Sequence, residues 1–291
     1  MNSAETTPTI PGPDPYPRKP AIVLPAGSTD CHAHIVGPQH RYPYDPKRRY
    51  TPPDALPPQY LQMLRTLGVE RGVLVQPSVY MTDNRRLIDA LRETDFPLRG
   101  IAVVDESVTD AQLDELHEAG VRGLRVNLRV ENGASADAVP QLARRIARLG
   151  WHLQFRIDPK DFASAEAMIS ALPVETVVDH IGGVPVDEGL QGNGFQTLLR
   201  MLRSGRTSVK LSAPMRMSNQ DYPYRDVVPF VHALADAAPD RLIWALDWPH
   251  TTLSKPMPND GDLCDLLDTW LPDEPIRKKV LVDNPARLFD F

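Results

Sequence analysis

The chain has 291 residues, of which 42% are hydrophobic and 24% charged, with a formal charge of −6. That is ample apolar content for a large core, and acidic residues without a clustered basic face argue against a nucleic-acid partner. Two cysteines far apart, Cys31 and Cys264, argue against both a disulfide framework and a Cys-based zinc site. No apolar run reaches the roughly 18 residues that a membrane span needs, so no membrane partner is expected. The N-terminal stretch MNSAETTPTIPGPDPYPRKP lacks the apolar segment of a secretory signal, so a cytoplasmic location is expected.

Residues 1–26 are rich in proline and polar residues and read as a mobile or wrapping arm. From residue 27 onward a rhythm begins. Short Val/Ile/Leu-rich runs read as strands at 28–36, 72–78, 98–104, 121–128, 152–157, 176–182, 208–213 and 242–248. Amphipathic stretches lie between them. PPQYLQMLRTLG ends on Gly68, TDNRRLIDALRETD opens on a cap-like Thr82 or Asp83, and TDAQLDELHEAG ends on Gly120. Further helical patterns run from AVPQLARRIARLG to the C-terminal LCDLLDTWL and IRKKVLVDNPARLF.

Strands alternating with helices predict a parallel sheet with crossover helices. With eight such units, closure into a single-domain α/β (β/α)8 barrel of the TIM type over 27–291 is the expected solution. The open doubly wound alternative lacks a glycine-rich phosphate loop after any strand.

Such barrels place their sites at the C-terminal strand ends. The polar residues there are His32 and His34 on strand one, Gln76 and Ser78 on two, Arg125 and Asn127 on four, Arg156 on five, Asp179 and His180 on six, Lys210, Ser212 and Arg216 on or after seven, and Asp247 on eight. Residues two apart share a strand face, so His32 and His34 both point into the mouth, while Cys31 alternates away and packs behind them. Two inward imidazoles, and a carboxylate after the apolar run LIWAL, need partners or a task. Lys210 reads as a charge partner inside the barrel. His152 starts strand five, at the wrong end for chemistry, and His117 and His232 lie in helical patterns; all three read as structural.

The stretches DCHAHIVGP, YPYDPKRRYTPPDA, VLVQPSVYMTDN, RGIAVVD, GVRGLRVN, VVDHIGG, RLIWALDWPH and DNPARLF occur in this order. Together they resemble the amidohydrolase superfamily, and within it the 2-pyrone-4,6-dicarboxylate lactonase-like group, which includes sugar-acid lactonases and a galactarolactone isomerase. The resemblance implies a lactone-processing enzyme that works without a divalent metal. It also implies catalytic roles for His32, His34, His180 and Asp247; on such a lactone Arg125 and Arg216, with Arg156 and Tyr50, are the expected carboxylate contacts, and Asn127, Gln76 and Ser78 the expected contacts for its hydroxyls. On this reading the three histidines donate to the lactone carbonyl and Asp247 is the general base.

His32, His34, His180 and Asp247 could instead supply four metal ligands. But metal-binding relatives commonly add a strand-five His or a strand-four Lys or Glu, and Arg156 and Arg125 stand there. A guanidinium cannot ligate a metal and suits carboxylates. No cofactor is therefore expected, with a divalent metal as the alternative.

Two departures from the pyrone lactonase pattern bear on the substrate. Arg129 is shifted, with Glu131 and Asn132 following, and Arg156 replaces a tyrosine. The expected partner is a small carboxylate-bearing lactone, with a sugar-diacid lactone such as galactarolactone, isomerised or hydrolysed, ahead of 2-pyrone-4,6-dicarboxylate. A metal-dependent decarboxylase of the same superfamily and a non-catalytic binding protein are the alternatives.

Overall fold

The computed structural model describes residues 7–130 and 132–291. Eight parallel strands run in the order β1 (Thr29–Ala33), β2 (Arg71–Val75), β3 (Leu98–Ala102), β4 (Val121–Asn127), β5 (His152–Arg156), β6 (Thr176–Val178), β7 (Thr207–Leu211) and β8 (Leu242–Trp244), each paired with the next. The seam between last and first is closed by two backbone bonds beyond the strands. His34 N donates to Trp248 O (2.8 Å) and Asp247 N donates to His32 O (3.0 Å). The result is a single (β/α)8 barrel.

Helices α1 (Pro57–Leu67), α2 (Arg85–Arg92), α3 (Asp110–Glu118), α4 (Val139–Ile146), α5 (Phe162–Ser170), α6 (Asn193–Arg203), α7 (Val228–Ala237) and α8 (Asp260–Trp270) follow the strands in turn. Their ends have local causes. Thr109 and Gln112 form a reciprocal capping box at α3. Pro57 opens α1 at a position that needs no N–H, and left-handed Gly68 (φ 77°) ends it. The second helix begins later than its cap-like residues suggest, at Arg85, because Asn84 spends its amide on Val103 O and Thr82 O. After α8 the chain continues through α9 (Glu274–Lys278), a π turn over 279–283 and α10 (Asn284–Phe289).

The main core lies between the sheet and the helices, with Trp151, Trp244, Trp270, Phe155, Phe162 and Phe195 among its largest buried side chains. A smaller cluster of Cys31, Val73, Val75, Ile101, Val177, Ile243 and Phe289 fills the lower barrel. Cys31 belongs there because β1 slips register between Asp30 and Ala33, which breaks the alternation that would have turned it away. Neighbouring Asp30 is buried; it accepts from Leu246 N (2.9 Å), His32 N (3.3 Å) and the Tyr60 hydroxyl (2.8 Å), and burial pushes its carboxyl up to about 7.

The described part of the proline-rich arm, residues 7–26, is strapped down. Ala21 N and Ile22 N donate to Asp265, Arg18 pairs with Asp262 and Asp265, and Arg18 N donates to Asn259. At Gly261 a Cβ would stand 2.2 Å from Arg18 O, so only glycine admits the strap there.

Candidate active site

The site is a cavity of about 290 Å³ at the C-terminal ends of the strands. Its floor is one carboxylate facing three imidazoles. Asp247 Oδ1 lies 3.7 Å from His32 Nε2, 3.7 Å from His180 Nε2 and 4.0 Å from His34 Nε2. Asp247 Oδ2 accepts from Arg216 Nε (3.0 Å) and Nη2 (2.9 Å). Asp247 (φ 71°) and His180 (φ 55°) both adopt the left-handed region that non-glycine residues avoid. Such strain persists only where surrounding structure enforces it, and it concentrates at functional sites.

Each imidazole is fixed by its other nitrogen. His34 Nδ1 lies 2.7 Å from Val75 O. A carbonyl only accepts, so Nδ1 carries the hydrogen and a neutral His34 presents a lone pair at Nε2. His180 Nδ1 meets Ser212 Oγ at 2.8 Å. His32 Nδ1 faces Lys210 Nζ at 3.1 Å, and its Nε2 lies 3.3 Å from His34 Nε2. The expectation that all three donate to a substrate carbonyl is therefore corrected: neutral His34 has no hydrogen on the inward nitrogen.

The rings are held neutral. Burial, then the Arg125 charge, brings His34 down to about 4. Burial, with the Arg156 and Arg216 charges adding to it, brings His180 down to about 3. Burial and the Lys210 ammonium hold His32 well below the ordinary histidine range. At Asp247 burial favours the neutral acid, but the Arg216 guanidinium paired with Oδ2 opposes it, and the carboxyl lies well below its usual range.

Beneath the floor lies a buried ionic layer that sequence reading only partly anticipated. Asp179 accepts from Arg125 (Nε 3.2 Å) and Gln154 (Nε2 3.2 Å), and its Oδ1 lies 3.4 Å from Lys210 Nζ. Asp179 and Lys210 were visible as strand-end polar residues. Gln154 was missed, although its place two residues before Arg156 on one strand face was the available signal.

Five arginines line the walls: Arg49, Arg125, Arg129, Arg156 and Arg216. Arg125 and Arg216 are engaged by Asp179 and Asp247. Among the described residues Arg49, Arg129 and Arg156 have no ion pair, and Arg156 Nη1 is buried without a hydrogen-bond partner. Burial, then the Arg129 charge, lowers Arg156 to about 10. Gly183 (φ 63°) makes room for it, since a Cβ there would stand 3.0 Å from Nη1. Among the described residues Asp247 is the single carboxylate lining the cavity.

Tyr50, Ser78 and Asn127 also line the cavity, as do Thr251 and Thr252, which the sequence reading did not select. Glu131 lies outside the described residues. Gln76 is a correction: it does not line the cavity, and its buried amide donates to Met81 O (3.3 Å) and Asp83 O (2.8 Å), bracing the loop after β2. Of the histidines read as structural, His117 accepts from Trp151 Nε1 (3.0 Å), His232 Nε2 meets Thr269 O (2.9 Å), and His152 is buried against Phe289 at the opposite end of the barrel.

Two groups of side chains have metal-like spacing, His32/Asp179/His180 and His32/His34/Asp247. Their chemistry does not fit a divalent cation. Asp179 is committed to Arg125 and faces Lys210; Asp247 Oδ2 is committed to Arg216. Three fixed cations thus occupy the charge that a metal would neutralise.

The chain matches the amidohydrolase family model over residues 29–291. It belongs to the amidohydrolase family. It is 38% identical to a 2-pyrone-4,6-dicarboxylate hydrolase of Comamonas testosteroni, covering 94% of this chain and 93% of that protein. It is 36% identical to a 4-sulfomuconolactone hydrolase of Hydrogenophaga intermedia, covering 99% and 96%. A D-galactarolactone isomerase of Agrobacterium fabrum is 26% identical, covering 93% of each chain. No helix among the described residues is long and apolar enough to cross a membrane.

Proposed function

We propose that this chain is a lactone hydrolase that acts, without a divalent metal, on a small lactone bearing two anionic groups. One observation carries this reading: five arginines surround a floor of one carboxylate and three neutral imidazoles. The three guanidiniums without an ion pair among the described residues call for anionic oxygens, which they bind in charge-assisted pairs. A lactone with a single carboxylate would leave more of that charge unmatched than a dicarboxylate or a sulfonated carboxylate. The two hydrolases reported above act on lactones of the latter kinds by name, and at higher identity than the isomerase.

On this reading Arg49, Arg129 and Arg156 hold the anionic substituents, with Tyr50, Ser78 and Asn127 at their side. His180, and His32 with it, donate to the carbonyl oxygen as it gains charge. Asp247 Oδ1 and the His34 Nε2 lone pair, 4.0 Å apart, receive the two hydrogens of one water. Its oxygen attacks the carbonyl carbon and Asp247 takes the proton. The bond to the ring oxygen then breaks and Asp247 returns the proton to that oxygen. The products are a hydroxyl or enol and the opened carboxylic acid, which releases the water's second proton to solvent and leaves as the carboxylate.

A second reading, isomerisation of a sugar-diacid lactone such as galactarolactone, draws on the hydroxyl-bearing lining of Ser78, Tyr50, Thr251 and Thr252. In that case a substrate hydroxyl takes the place of water. A proton NMR time course on chelator-treated protein separates the readings. Ring opening of 2-pyrone-4,6-dicarboxylate or 4-sulfomuconolactone is expected. A second lactone formed from galactaro-1,5-lactone above background would favour the isomerase. Turnover appearing only after zinc or manganese is added would overturn the metal-free reading in favour of metal-dependent chemistry such as decarboxylation.

A further inference from the structure

Lys210 is fully buried on β7, in the layer under the imidazoles. Its Nζ has three polar neighbours: Gln154 Oε1 at 2.7 Å, His32 Nδ1 at 3.1 Å and Asp179 Oδ1 at 3.4 Å. An ammonium has three hydrogens and no lone pair. Whatever faces it must accept, and that includes His32 Nδ1.

We propose that Lys210 is a positioning residue: it holds His32 as the Nε2–H tautomer and so turns a metal-type His-x-His pair into a hydrogen-bond donor. The neighbours agree on the direction. Lys210 donates to His32 Nδ1. His32 Nε2–H points at the His34 Nε2 lone pair, 3.3 Å away. That lone pair is available because His34 Nδ1–H is spent on Val75 O. Every group in the line donates forward, from the ammonium to a backbone carbonyl, and no hydrogen is left facing another. Resting on the lactone reading, the same His32 N–H turns from His34 to the carbonyl oxygen when substrate enters.

The tautomer also decides what the site refuses. A metal at His32 Nε2 needs a lone pair there, which requires the hydrogen to sit on Nδ1, where it would confront Lys210. Without Lys210 the alternative is ready. Asp179 Oδ1, 3.4 Å from His32 Nδ1 and without a hydrogen-bond partner among the described residues, would accept Nδ1–H. That is the carboxylate–histidine arrangement that supports metal ligands. His32 Nε2, His34 Nε2 and Asp247 Oδ1 would then converge as three ligands.

The deciding experiment is long-range 1H–15N NMR on the wild-type protein labelled with 15N-histidine, with His32 assigned by its loss in His32→Gln. The expected result is a hydrogen on Nε2 and a bare Nδ1; a hydrogen on Nδ1, or on both nitrogens, overturns the proposal. It needs no substrate, so it stands or falls apart from the lactone reading. The second arm is Lys210→Met. Its His32 is expected to switch to Nδ1–H, and after zinc loading and dialysis it is expected to retain at least tenfold more zinc than wild type. Equal retention in a folded variant also overturns the proposal. Its metal-free kcat is expected to fall about 100-fold, the scale for losing one oriented carbonyl donor, with KM within about threefold because the wall arginines are intact. A variant that fails to fold leaves the wild-type spectrum to decide.

Discussion

Arg216 holds Asp247 by one oxygen only. Its Nε and Nη2 both donate to Oδ2, at 3.0 and 2.9 Å, and Nη2 also donates to Thr251 O at 2.7 Å. Oδ1 is left to the imidazoles. The carboxylate is therefore divided between an anchored atom and one that faces the imidazoles, the atom proposed above as the base. Asp247→Asn keeps the shape and removes the base. Lactone hydrolysis is expected to fall by roughly 10²–10⁴ in kcat, the usual range for a positioned general base. Activity retained within threefold would reject Asp247 as the base.

Arg216→Met removes the anchor and leaves a buried carboxylate without its guanidinium. Breaking such a pair costs on the order of 3 kcal/mol. Urea unfolding should show that loss, with kcat falling alongside it. A loss of activity at unchanged stability would mean that Arg216 serves the substrate rather than Asp247.

The pH dependence expected of the proposed reaction follows from neutral rings and an ionised Asp247. Asp247 stays ionised to below its usual range, while His34 and His180 take up protons only near 4 and 3. At neutral pH both rings are thus neutral and Asp247 is ionised, and as the pH falls His34, at about 4, takes up a proton before Asp247 does. Initial rates of kcat/KM should be flat from about pH 8 to about pH 5 and fall below about pH 4. A fall centred near pH 6.5 would show that a histidine with an ordinary pKa controls the reaction.

Arg156→Tyr tests the anionic wall. A hydrogen bond to a charged group contributes about 1.5–3 kcal/mol. KM for a dianionic lactone should accordingly rise about 10- to 100-fold, with a smaller change for a lactone carrying one carboxylate. Equal effects on both substrates would remove Arg156 from the substituent-binding set.

Asp30 predicts a stability effect remote from substrate. Burial pushes its carboxyl up to about 7 in the folded protein, against an ordinary aspartate value of 3.8. Between those values the folded state binds the proton and the unfolded chain does not, so stability is greatest below about pH 4 and declines as pH rises through 7. The full shift corresponds to on the order of 4 kcal/mol. Asp30→Asn can still accept from Leu246 N and His32 N and can donate to Tyr60. Thermal melts of this variant should lose most of the decline between pH 4 and pH 8. A decline as steep as that of wild type would place the titrating group elsewhere.

The barrel was legible because each strand is a short apolar run and each helix an amphipathic one, so every predicted strand falls on an observed one. The strand-end rule then found Asp247, the three histidines and three of the five wall arginines. It failed where side-chain direction departs from simple alternation or from loop geometry. Cys31 was misplaced by a register slip in β1. Gln76 was misread because its amide turns to the loop carbonyls. Arg49, Thr251 and Thr252 arrive on loops whose course no periodicity encodes. The inward lone pair of His34 depends on one carbonyl, Val75 O, brought from a neighbouring strand.

The seam of the barrel gives the molecule a built-in clock. Asp247 N bonds to His32 O, and His34 N bonds to Trp248 O, so Asp247 and the His-x-His pair meet only where the last strand reaches the first. They lie 215 positions apart in the chain, from His32 to Asp247. No half-barrel fragment contains both, and an arrangement with seven strands docked and the eighth free has no working centre. Recovery of turnover during refolding therefore times the final stitch of the cylinder, while far-UV circular dichroism reports the helices and strands formed before it.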